Sequence, residues 1–221
     1  MTSKQLIEFR VGEGGLKEEI RRDAAETAAG RVFRVYERHC VRPDLDTLHN
    51  LLNALHSLND RLQKVVGRDL HEIEEFIAIK VLRNFAHHQE EVRSNVRIVP
   101  TPAQSDLMTM CIVRRDQVER AIASIRGKWQ VPSRDACEAR FHWYGEAINI
   151  NPCLFNLVVR VYEQLIALGI NPPDDDVRSL AASYAFEEEQ GHSHYVDGRL
   201  TARAADIEHV FSKVIADLPP P

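Results

Sequence analysis

The amino-acid sequence predicts an all-α protein, a multi-helix bundle. Three observations carry this. Apolar residues recur at intervals of three and four along nearly the whole chain. Strand-like alternation is scarce: Val96–Val99 is the single short candidate, and Arg97 interrupts it. Proline, glycine and Asx residues fall between the periodic segments, where helices start and stop.

The elements follow in order. The first helix is expected from just after Gly14-Gly15 to about Cys40, with Leu16, Ile20, Ala24, Ala28, Val32, Val35 and Tyr36 on one stripe. Pro43 breaks the chain. Asp44 is a suitable N-cap for a second helix that ends near Gly67. Its Leu48, Leu51, Leu55, Leu58, Leu62 and Val65 form a heptad seam, which fits one partner helix. A third helix is expected from about Asp69 to His88, with Ile73, Ile77 and Val81 on its apolar stripe. Pro100-Thr101-Pro102 reads as a loop dividing an N-terminal unit, residues 1–98, from a C-terminal helical extension, residues 99–221. The two are expected to pack as one compact domain. Further helices are expected from Ser105-Asp106 to Arg126, Ser133 to Ile148, Cys153 to Leu168, Asp174 to Gln190 and Thr201 to Leu218.

Composition narrows the function. A chain of 221 residues, 44% hydrophobic and 28% charged, can build a full core without disulfide or metal staples. A net charge of −5 gives no global support for avid, non-specific nucleic-acid binding, so such binding would need a local basic patch. The middle of the chain is mildly basic, which fits such a patch or an ordinary solvated face. Residues 91–130 hold seven Lys or Arg against four acids, whereas from Asn171 onward the count is four against ten. A phosphate-facing surface near residues 83–128 fits this asymmetry. Cys40, Cys111, Cys137 and Cys153 form no CxxC pair, which argues against a thiolate metal cage. Neither an apolar leader nor an apolar run of membrane length is found, so no membrane association and a cytoplasmic setting are expected. No HExxH, Walker, GxGxxG or GxSxG pattern occurs, and no cofactor is expected.

Chemistry is concentrated in Arg83-Asn84-Phe85-Ala86-His87-His88, at the end of the third helix. On a helical wheel Ile73, Ile77, Val81, Asn84 and His88 share a stripe, so an apolar face runs on into an amide and an imidazole. Such polar groups need partners, since each one left unpaired costs about 1–3 kcal/mol. Arg83 lies beside them with Lys80 and His87. On the second helix His49, Asn53, His56 and Asp60 form a polar stripe. If the two helices pack antiparallel, His56 or Asp60 meets Arg83 and fixes its guanidinium. Arginine offers a phosphate a two-pronged set of donors, and histidine moves protons near neutral pH.

Two other groups have simpler readings. Glu189-x-x-His192 and His192-x-His194 occur once, beside Gly191, and read as a helix end rather than a metal site; no metal is expected. Phe141-His142-Trp143-Tyr144 and Tyr162 read as core aromatics rather than a base-stacking platform.

Arginine, then a polar residue, then histidine a few positions on resembles the signature motif of the HEPN superfamily. Other arginines here share the spacing (Arg34/His39, Arg42/His49), so the added signal is Asn84 and the apolar helix end. The resemblance implies a helical bundle over the N-terminal unit and a metal-independent endoribonuclease acting as a homodimer on RNA. It implies catalytic roles for Arg83, Asn84 and His88, with His87 as the substitute histidine. His56 and Asp60 are the supporting residues expected from helix packing. A toxin or defence role with a protein antitoxin is a further implication. The alternative within the family is a non-catalytic dimeric module that binds a protein or RNA partner.

Overall fold

The computed structural model describes residues 3–100, 107–198, 212, 218 and 219. Helix predominates, as the periodicity requires. Among the described residues there are seven α-helices: α1 (Ser3–Val41), α2 (Leu45–Val66), α3 (Glu74–His88), α4 (Arg115–Ser124), α5 (Gln130–Arg140), α6 (Asn151–Leu168) and α7 (Asp174–Gln190). A short 3-10 turn, Gly127–Trp129, joins α4 to α5. The expected helix from Thr201 to Leu218 lies almost wholly outside the described residues, as do Thr101-Pro102, Ser105-Asp106 and the side chain of Leu16.

A small antiparallel sheet is the main departure from the sequence reading. It comprises β1 (Ser94–Pro100), β2 (Leu107–Arg114), β3 (His142–Tyr144) and β4 (Ala147–Asn149), in the order β1-β2-β4-β3. The Val96–Val99 candidate is the middle of β1, in register with Cys111–Met108 of β2. β2 was expected to be the first turns of a helix. Met110, Cys111, Ile112 and Val113 are all fully buried, so this strand is covered on both faces and shows no alternation to betray it. α4 therefore begins only at Arg115. Likewise α5 stops at Arg140 instead of Ile148, and the chain turns back through a two-residue hairpin in which Tyr144 pairs with Ala147. Gly145 sits in that turn at φ +60°, a conformation most side chains resist.

The first three helices form the scaffold of the site. α1 continues through Gly14-Gly15, which costs about 1 kcal/mol per glycine relative to alanine but does not forbid helix. Its buried face is Ala25, Ala28, Ala29, Val32 and Phe33; Ile20, expected on that face, is 59% exposed. α2 starts at the predicted Asp44 cap. The Asp44 carboxylate accepts from Thr47 N at 2.7 Å, and the Thr47 hydroxyl accepts from Asp44 N at 2.9 Å. It ends at Gly67 in the left-handed conformation. The α2 leucine seam is buried, and its partner is α1 of the same chain. α3 begins at Glu74, not Asp69, after a turn closed by Ile73 N to Leu70 O at 3.0 Å.

One buried cluster runs from Ala25 in α1 through α2 and α3 to Val118, Cys137 and Leu165 in α4, α5 and α6. α3 is its hub, packing against α2, α4, α5 and α6. The boundary at residues 98 and 99 falls inside β1. At the other end α7 reaches α1 at Gly30, where a Cβ would run into the Asp176 carboxylate.

Candidate functional site

The rotation of α3 decides what its polar residues face. The buried face is Phe76, Ile79, Leu82 and Phe85; of the expected Ile73-Ile77-Val81 line extended to His88, only Val81 is buried with it. Both lines recur at helical spacing, and the bulkier one takes the centre of the core. Ile73 and Ile77 are half-buried at its edge. Asn84 is half-buried and His88 is exposed.

The edge stripe nevertheless finds a covering. Ile77, Lys80, Val81 and Asn84 form one wall of a cleft of about 170 Å3, and Ile125, Arg126, Trp129 and Ser133 form the facing wall. His71 closes one end. Asn84 is thus met by the α4–α5 connection of the same chain. The cleft wall carries cations, Lys80 and Arg126, with no carboxylate among its lining residues. Trp129 is 41% exposed, with the Lys128 ammonium 5.8 Å from its ring centre.

Arg83 stands beside the cleft. Its Nη1 donates to Asn84 Oδ1 at 3.3 Å, and its Nε is buried with no hydrogen-bond partner among the described residues. The expected pairing of Arg83 with an acid of α2 is not found among the described residues; Asp60 lies against His56, and Arg83 acts on α2 only through its charge. Burial, and next the charge of Arg83, hold His56 below the usual histidine pKa; Asp60 acts in the opposite sense. His56 Nε2 lies 3.9 Å from Asp60 Oδ2. His49 and Asn53, further along the same stripe, bond to each other at 2.8 Å on the exposed surface. His87 and His88 are exposed and pack edge to face, 4.7 Å between ring centres. Neither lines the cleft. Arg83 and His88 are five residues apart, about 140° around the helix, and one chain does not bring them together on one side.

A second set of residues was invisible at the level of sequence. His71 Nδ1 lies 3.1 Å from Asp69 Oδ2, and Lys80 Nζ lies 2.6 Å from His71 Nε2. Burial alone would raise the Asp69 carboxyl; hydrogen bonds from the His71 backbone and ring outweigh it and bring the carboxyl below its ordinary value. Lys80 is on the same helical face as Asn84, which sequence spacing does indicate. Nothing in the spacing indicates that His71 and Trp129, 58 positions apart in the chain, bring their rings together, tilted, with centres 5.3 Å apart.

Larger hollows exist elsewhere. One of about 500 Å3 near Trp143 is lined by Arg115 and Arg134 but also by Glu119 and Glu138, so its charge is balanced. Another of about 330 Å3, between α1, α6 and α7, is mostly apolar, with Phe33, Tyr36, Phe155 and Tyr184 on its walls. The α3 cleft is smaller but combines cations, an amide and an aromatic, and chemistry rather than size selects it.

The remaining sequence candidates are absorbed by structure. His194 Nδ1 pairs with Glu187 Oε2 at 2.9 Å and its ring stacks on Tyr184 at 3.6 Å. Gly191 ends α7, as expected. Phe141 is buried, and the half-buried Trp143 donates its indole N–H to Cys137 O at 3.2 Å. Cys111 and Cys137 are buried thiols, each pushed up to about 12 chiefly by burial, and are protonated at neutral pH. No helix of the described residues is long and apolar enough to cross a membrane. Comparison with protein families, characterised proteins and solved structures finds no match for this chain.

Proposed function

We propose that this chain is a metal-independent endoribonuclease of the HEPN type, which binds single-stranded RNA at the α3 cleft. One observation carries this: Lys80 and Arg126 line the same cleft as Asn84 and the exposed Trp129, and Arg83 bonds Asn84 at its edge. Cations hold phosphates, and an aromatic face stacks an unpaired base. The substrate's 2′-hydroxyl attacks the adjacent phosphate, giving a 2′,3′-cyclic phosphate and a 5′-hydroxyl. Arg83 binds the phosphate and stabilises the charge that develops on it. Asn84 donates to a phosphate oxygen. His56 and Asp60, on the neighbouring stripe of α2, are the supporting residues of this reading.

His88, with His87 as its substitute, reaches a phosphate held by Arg83 only from a second copy of the chain. The reading therefore includes a homodimer. A cytoplasmic setting goes with it. A toxin or defence role with a protein antitoxin rests on the HEPN resemblance alone.

A second reading has its own support. The Arg83 guanidinium already donates to Asn84, and His88 lies outside the cleft. This favours a non-catalytic module that holds an RNA or protein partner. The test separates the two. Purified protein is incubated with single-stranded RNA in EDTA beside an Arg83→Ala/His88→Ala variant. Cleavage by the wild type alone, with cyclic-phosphate ends, is the expected result. Equal cleavage by both, or none by either, contradicts the nuclease.

A further inference from the structure

We propose that Lys80, held by the Asp69–His71 pair, is the proton-accepting amine of the α3 cleft and takes the 2′-hydroxyl proton during RNA cleavage. This rests on the nuclease reading above and names a residue outside the Arg83–His88 motif.

The geometry is that of an activated group, its base and an orienting carboxylate. Asp69 Oδ2, 3.1 Å from His71 Nδ1, assigns the Nδ1 proton and leaves Nε2 turned toward Lys80. The 2.6 Å separation of Lys80 Nζ from His71 Nε2 is short enough for the two nitrogens to share a proton. Asp69 Oδ1 also accepts from the backbone N of His71 at 3.0 Å, so the carboxylate is fixed at both oxygens. The His71 ring is held edge-on to Phe76 at 5.4 Å. Lys80 and His71 both line the cleft, so the pair is open to a bound ligand.

Burial supports the assignment. It makes Lys80 give up its proton more easily than a free lysine, against the opposing charges of Asp60 on α2 and Asp69 and with a smaller push from Arg83. His71 is its direct partner, and Arg126 faces it across the cleft from the α4–α5 connection. In the resting pair one extra proton is shared by Lys80 Nζ and His71 Nε2; with that proton on His71, the neutral Lys80 amine takes the proton from the 2′-hydroxyl as the O2′–P bond forms. The P–O5′ bond breaks, and the pair releases one proton to the departing 5′-oxygen, which restores its resting state. A donor on one chain thereby serves both halves of the transfer, whereas His88 needs a second copy.

Two measurements on the full chain test this. The first needs no RNA. Trace labelling with acetic anhydride at pH 7.5, followed by peptide mass mapping, reads the reactivity of each lysine; the chain has only six, Lys4, Lys17, Lys64, Lys80, Lys128 and Lys213. Lys80 is expected to label at least fivefold faster than the exposed Lys64 and Lys128. His71→Gln is expected to remove that excess without changing the other sites. Lys80 labelling no faster than Lys64 and Lys128 overturns the proposal. The second reads cleavage of a single-stranded oligoribonucleotide in EDTA. Lys80→Arg keeps the positive charge but not the ability to share a proton. It is expected to lower kcat at least a hundredfold with KM within threefold, and His71→Gln to shift the basic side of the pH–rate profile. Cleavage by Lys80→Arg at the wild-type rate overturns the role of Lys80 and leaves the nuclease standing. Absence of cleavage by the wild type overturns both, whatever the labelling shows.

Discussion

Two charged clusters share helix α3, and they are built differently. At its first turn Glu75 is 2% exposed and sits between Arg140 of α5, 3.5 Å away, and Arg160 of α6, 3.2 Å away. Glu74 beside it takes two hydrogen bonds from Arg140, at 2.9 and 2.6 Å. Here opposite charges from three elements neutralise one another. Toward the other end, Lys80 and Asn84 meet His71, Arg126 and Trp129 across the cleft, Arg83 bonds Asn84 beside it, and the cleft wall carries cations and no acid. The first cluster ties helices together. The second places positive charge on a cleft wall that holds no carboxylate, which is the condition for binding an anion. The comparison teaches that a buried carboxylate with two arginines marks architecture, while surplus positive charge beside an open aromatic marks a site.

The largest expected effect breaks the first cluster. Glu75→Ala leaves Arg160 without its carboxylate and Arg140 with Glu74 alone, and should cost about 3 kcal/mol, the low end for breaking a buried pair, because both arginines reach water. Urea unfolding reads this as a lower midpoint, and RNA affinity should stay within twofold of the wild type. A large loss of affinity at unchanged stability would reverse the roles assigned to the two clusters.

A smaller effect comes from acid. Burial holds His39, whose Nδ1 meets Thr47 Oγ1 at 3.0 Å, below its ordinary value of 6.5, and His56 is lowered likewise. The unfolded chain therefore binds protons that the native chain resists. Stability from these groups is full above pH 6.5 and is lost as pH falls below it. Urea midpoints should decline from pH 7.5 to pH 5, and His39→Gln should flatten the decline. An equally steep decline in the variant contradicts the assignment to His39.

Much of this was legible in the sequence. The Asp44 cap, the Gly67 and Gly191 stops and the α2 leucine seam are local, and local chemistry determines them. The nearness of Arg83 to His56 follows from two polar stripes on adjacent helices. The sheet was not legible, because β2 and β4 are buried on both faces and carry no alternating pattern. The rotation of α3 was misjudged because Ile73-Ile77-Val81 and Phe76-Ile79-Leu82-Phe85 both satisfy helical spacing, and only the packed neighbours choose between them. The Asp69–His71–Lys80 relay joins a turn to a helix face, and Trp129 arrives from a distant connection; neither leaves a periodic signal.

The most direct measurement is the affinity of a fluorescein-labelled single-stranded RNA for the wild type and for Lys80→Ala/Arg83→Ala, by anisotropy in EDTA at 50 and 200 mM salt. The account predicts that the double variant keeps the wild-type urea midpoint within experimental error. It also predicts at least a tenfold loss of affinity and a salt dependence shallower by about one to two released counterions. Equal affinity and equal salt dependence in the two proteins would contradict it.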